Sequence, residues 1–98
     1  MIKDNGIGLD SLRCEIDEID LKMRELFVKR MRTAEAIAEY KLNNSLPIFD
    51  EKRERAVIEK NTVEISDADL KEYYERFLVY TMSLSKDYQK KIIANSGK

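Results

Sequence analysis

The sequence predicts an all-α fold of three helices, the first too long for one chain to cover. Glycine and proline are scarce, three and one in 98 residues, which disfavours sheets and long loops. Leu9, Leu12, Ile16, Ile19, Met23 and Leu26 alternate steps of three and four, a heptad seam. A helix from Leu9 to Lys41 is about 33 residues, or roughly 50 Å at 1.5 Å per residue. A domain of this size has a radius of gyration near ~13 Å, so the seam needs a partner, and a second copy of the chain is the simplest one.

The elements follow in order. Residues 1–8 are a polar, glycine-bearing stretch, expected as a flexible lead-in to a single domain over 9–94. Asn43, Asn44 and Ser45 break the first helix, and Pro47 prevents its continuation. Asp50 is a good N-cap for a second helix running to about Lys60, with Glu51 suiting the helix dipole. Asn61 to Ile65 is a connection. Ser66, Asp67 and Asp69 mark the start of a third helix reaching about Ala94. Leu70, Tyr73, Phe77 and Leu84 give that helix one apolar face, beside Tyr74 and Leu78. Ser85 and Gln89 extend the line of Leu78 and Met82. Residues 95–98 are expected as a loose tail.

Composition narrows the chemistry. The net charge is −1, which gives no footprint for nucleic acid or an anionic membrane. No apolar run reaches membrane-spanning length and no signal-peptide core opens the chain, so the expected compartment is the cytoplasm. There is no histidine and one cysteine, Cys14. Ser–His and Cys–His nucleophiles are thereby excluded, a zinc site is disfavoured, and Cys14 reads as a reduced side chain without a catalytic role. No glycine-rich phosphate loop or dinucleotide fingerprint is present, and no cofactor or metal is expected. An enzyme built from these residues works by positioning and electrostatics, or with carboxylates.

The cations of the first helix are the informative feature. Helix charges usually have an opposite charge three or four residues away: Lys22 has Glu18, Arg24 has Asp20, Lys29 has Glu25, Arg32 has Glu35, and Arg13 has Asp10 and Asp17. Arg30 occupies the next seam position after Leu26 and has no acid at those offsets. Lys41, which closes the stripe, has none either. Either both meet acids from another helix, or they await an anionic ligand. Taken alone, Asp50, Arg53 and Glu54 read as a cap and exposed charges, and Ser85 and Gln89 as solvated polar residues.

Several spaced stretches then carry a family resemblance. LDSLRCEIDEID from Leu9, Lys29–Arg30 and Tyr40–Lys41, LPIFDEKRE over 46–54, and SLSKDYQ over 83–89 together resemble the all-helical chorismate mutase family, in the family's order. The resemblance implies an intertwined helical homodimer with two shared sites. It places Arg30, Lys41, Asp50, Arg53, Glu54, Ser85 and Gln89 of one chain around the dianionic substrate chorismate, with Arg13 contributed across the interface. Spacing agrees with the last point, since Arg13 and Arg30 lie roughly 25 Å apart along one helix. The implied reaction is the Claisen rearrangement of chorismate to prephenate in phenylalanine and tyrosine biosynthesis, without cofactor or metal. By the same resemblance Arg13, Arg30 and Arg53 hold substrate anions. Glu54 accepts from the ring hydroxyl with Asp50 supporting its loop, Ser85 meets a carboxylate, and Lys41 and Gln89 donate to the ether oxygen. Alternatives are an isochorismate-pyruvate lyase of the same fold, against which Ser85 speaks, and a non-catalytic helical dimerisation or regulatory module.

Overall fold

A computed structural model describes residues 8–96 and consists there of three helices: α1, Leu9–Asn43; α2, Glu51–Thr62; and α3, Ala68–Ser96. Residues 1–7 of the expected lead-in and 97–98 of the expected tail lie outside the described residues. Each helix runs two residues or so past the expected end, the usual latitude of helix termini. The chain divides into two compact units, Met1–Arg32 and Thr33–Lys98.

The first unit contains α1 as far as Arg32. Its seam, Leu9, Leu12, Ile16, Ile19, Met23 and Leu26, is 43% to 64% exposed. Six apolar side chains in one stripe, all open to water, form a surface that a single chain leaves uncovered.

The second unit holds the end of α1, α2 and α3. α1 ends in a Schellman motif: Leu46 N–H donates to Lys41 O (2.8 Å) and Ser45 N–H to Leu42 O (3.4 Å), which satisfies carbonyls the helix leaves open. The motif needs one left-handed residue, here Ser45 at φ 55°. α2 starts where its cap predicts, with Asp50 Oδ1 accepting from Arg53 N–H at 3.0 Å. At α3 the cap is Asp67, one residue later than Ser66; its Oδ1 accepts from Asp69 N–H (2.9 Å) and Leu70 N–H (3.1 Å).

α2 packs against α3. The 12 residues of α2 span roughly 18 Å, against about 43 Å for the 29 of α3. Glu54, in the first turn of α2, pairs with Lys86 of α3. An antiparallel run of equal rise from that point brings Thr62, the end of α2, roughly level with Leu78. The buried line of α3 is accordingly Leu78, Met82, Ser85 and Gln89. Leu70, Tyr73 and Phe77, which the pattern assigned to the apolar face, stay exposed because α2 is too short to reach them. Tyr88 Oη donates to Glu35 Oε2 at 2.8 Å and ties α3 to the end of α1. Ala34 and Ala38 of that end are buried.

Ser45 carries the backbone strain of a left-handed non-glycine residue, worth ~1–2 kcal/mol before the entropy cost of a glycine is deducted. Ser45→Gly should therefore raise unfolding stability by about 1 kcal/mol, read as a higher urea midpoint at fixed protein concentration. A lower midpoint would refute this account of the turn.

Candidate active site

Six of the eight residues singled out from the sequence lie in the second unit: Lys41, Asp50, Arg53, Glu54, Ser85 and Gln89. Arg13 and Arg30 lie in the first, on exposed positions of α1.

Lys41 is half-buried in the last turn of α1, and its Nζ donates to the carbonyl of Ile48 at 2.8 Å. That contact curls the lysine over its own helix end onto the loop before α2. A carbonyl orients an ammonium but leaves its charge uncompensated. Among the described residues, Arg13, Arg30, Lys41 and Arg53 make no ion pair. The local acids beside Arg13 therefore do not hold it, as expected of exposed pairs whose net value is small. Asp50 is committed to its capping role through Arg53 N–H, and it and the Arg53 side chain are exposed.

Ser85 and Gln89 are not solvated. They are 8% and 6% exposed, one turn apart on α3, and Gln89 Nε2 donates to Ser85 Oγ at 3.1 Å. The other end of the amide, Oε1, is buried without a partner. Left so, such an orphan costs ~1–3 kcal/mol. Rotating the amide by 180° exchanges the roles: the Ser85 hydroxyl then donates to Oε1 and the NH2 faces the open position. In either orientation one end of Gln89 is available to a ligand.

Glu54 is paired. Lys86 Nζ lies 3.1 Å from its Oε2 and 3.3 Å from its Oε1, and 4.6 Å from the Phe49 ring centroid. Neither Lys86 nor Phe49 was singled out from the sequence. The test applied to α1 finds Lys86 at once: Met82, Ser83, Gln89 and Lys90 occupy its offsets of three and four, so it too lacks a local acid. Among the described residues no cluster of metal-binding side chains occurs. No helix among them is long and apolar enough to cross a membrane.

The sequence profile of the family described as chorismate mutase type II matches residues 12–90. The chain belongs to the chorismate mutase type II family. The described residues form three helices and no strand, in agreement with that family's all-α fold. The T-protein of Haemophilus influenzae is 32% identical to it over 63 residues, 64% of this chain and 17% of that protein. The chain thus spans about a sixth of that relative's length. No solved structure matches it significantly. The family match runs from the residue before Arg13 to the residue after Gln89, so it encloses all eight candidate positions.

A polar residue kept for a ligand rather than for the fold is dispensable to stability. Gln89→Met fills similar volume and removes the orphaned atom, so it should not lower the melting temperature. A marked drop by circular dichroism would instead make Gln89 a structural residue.

Proposed function

We propose that this chain carries out its family's reaction itself, rearranging chorismate to prephenate as a homodimer with two shared sites. The observation that carries the reading is the buried Gln89 amide with one unpartnered end, in a unit where Lys41 also lacks a neutralising acid. Lys41 keeps its charge against a neutral carbonyl, and the Gln89 amide, turned so that Ser85 answers Oε1, presents its NH2; two such donors suit a reaction in which one oxygen gains negative charge.

The rearrangement is intramolecular. The ether C–O bond breaks as a C–C bond forms elsewhere in the same molecule, and no group leaves to an external acceptor. The protein has two tasks. It must hold a flexible dianion in its compact reactive conformer, which is an orientation effect. It must also stabilise charge on the ether oxygen as that bond breaks, for which Lys41 Nζ and the Gln89 NH2 are the assigned donors; one such donor is worth about 3–4 kcal/mol. Arg13, Arg30 and Arg53 hold the carboxylates, since a guanidinium fork matches a carboxylate in two parallel bonds. In the orientation that turns the Gln89 NH2 toward the substrate, the Ser85 hydroxyl proton goes to Gln89 Oε1, so Ser85 holds the amide rather than donating to a carboxylate. Glu54 accepts from the ring hydroxyl.

The dimer rests on the exposed seam of α1. A two-fold interface is self-complementary. If two seams pair antiparallel about the point between Leu21 and Lys22, Arg13 of one chain comes level with Arg30 of the other. Both arginines then serve one substrate, which within a single helix their separation forbids. No nucleic acid, membrane or metal takes part in this reading, and the cytoplasm is its natural setting.

Two experiments test these assignments. Arg13→Ala and Arg30→Ala should each abolish most activity, and a mixture in which subunits exchange should regain part of it through one intact composite site. Exchange without recovery would refute site sharing. Separately, Gln89→Glu should be poor at neutral pH, because an ionised carboxylate faces the developing negative charge. It should recover as pH falls, because a protonated carboxyl donates again. The parent amide does not titrate, so its donation needs no such rescue. A Gln89→Glu pH–rate profile equal to the parent's would remove Gln89 from the mechanism.

A further inference from the structure

Lys86 stands out because it is the one described cation of the second unit that bridges two helices through a carboxylate assigned to the substrate. Its Nζ straddles both oxygens of Glu54, at 3.1 and 3.3 Å. On its other side lies the Phe49 ring, 4.6 Å from the ammonium to the centroid, within cation–π range. The side chains of Lys86 and Glu54 are 28% and 24% exposed, so water shields the pair only in part. Asp87 is the next residue in the chain, yet adjacent helical side chains diverge and do not compete for the same partner. Lys86 is thus a fixed point between α3, the first turn of α2 and the loop ahead of it.

We propose that Lys86 is a positioning residue: it turns the Glu54 carboxylate toward α3, where Ser85 and Gln89 lie, and Phe49 holds the ammonium in place. This rests on the reading of Glu54 as the acceptor for the substrate's ring hydroxyl. A carboxylate offers about four lone-pair sites; Lys86 takes one on each oxygen and leaves the others for the hydroxyl. Without it, Glu54 sits in the first turn of a solvated helix, where the backbone dipole and water reward other orientations. A grip on a hydroxyl that does not react is felt alike in the bound substrate and the transition state. Its loss therefore appears in KM and spares kcat.

The test is steady-state kinetics on the full chain with chorismate, comparing Lys86→Met, Lys86→Arg, Glu54→Ala and the double variant Lys86→Met/Glu54→Ala. Lys86→Met should raise KM about tenfold with kcat changed less than about threefold. Lys86→Arg, which keeps the charge and two donors, should restore most of the KM. In the Glu54→Ala background the Lys86→Met change should add less than about twofold, because Lys86 acts through Glu54. A parent KM in Lys86→Met overturns the proposal. So does an undiminished effect of Lys86→Met in the Glu54→Ala background, which would make Lys86 a direct substrate contact. If Lys86→Met does not fold, Lys86→Gln replaces it under the same criteria. Glu54→Ala with the parent's kinetics would instead remove the reading of Glu54 on which the proposal stands. Glu54→Ala impaired beside an unimpaired Lys86→Met would overturn the role of Lys86 alone.

Discussion

Three consecutive residues, Ile48, Phe49 and Asp50, tie the second unit together. Ile48 offers its carbonyl to Lys41 at the end of α1. Phe49 lies under the ammonium of Lys86 on α3. Asp50 caps α2. A loop of irregular backbone is usually the least constrained part of a small domain. Here it is held from three helices at once, and each hold fixes a polar side chain beside the candidate site. The strained turn at Ser45 and the Pro47 that follows deliver the chain into this stretch. The cost of one left-handed serine is small against the three contacts it makes possible.

The described cations fall into two groups, and the difference is chemical. Lys86 has a carboxylate and a ring; its charge is answered within the chain. Lys41 has a carbonyl, and Arg13, Arg30 and Arg53 make no ion pair. A carbonyl orients a cation without cancelling it, so Lys41 is aimed but still positive. Gln89 repeats the pattern in a neutral group: one end is anchored to Ser85 and the other has nothing to bond. With the amide turned so that the Ser85 hydroxyl answers Oε1, the NH2 is the open end, and that is the state in which a donor is preorganised for charge that appears only during reaction.

The apolar surface is unfinished in a way that matches the unfinished polar site. The seam of α1 and the first half of the α3 face are open, and no large side chain among the described residues is fully buried. On α3 this follows from length: α2 covers only as much of α3 as its own 12 residues reach. In the proposed dimer, covering the seam with a second chain would bury apolar area and, in the same act, bring the partner subunit's Arg13 to each site. Stability and site assembly would then be one process, with activity dependent on subunit concentration.

Much of this was decided by the sequence alone. The three helices, the break at Asn43–Ser45, the Asp50 cap and the exposed seam all follow from local rules: period, capping chemistry and the φ limits of proline. The order of the motifs pointed to the family that the profile match establishes. Only the tertiary structure decided which polar residues are buried. Ser85 and Gln89 look like ordinary surface residues in isolation, and what removes them from water is the packing of the second unit around α3. It also decided which cation is paired. Lys86 and Arg30 fail the same local test, yet Lys86 meets Glu54, 32 positions away in the chain. Local spacing shows that a charge lacks a neighbour on its own helix; which distant group answers it depends on how helices cross, and that is a property of packing.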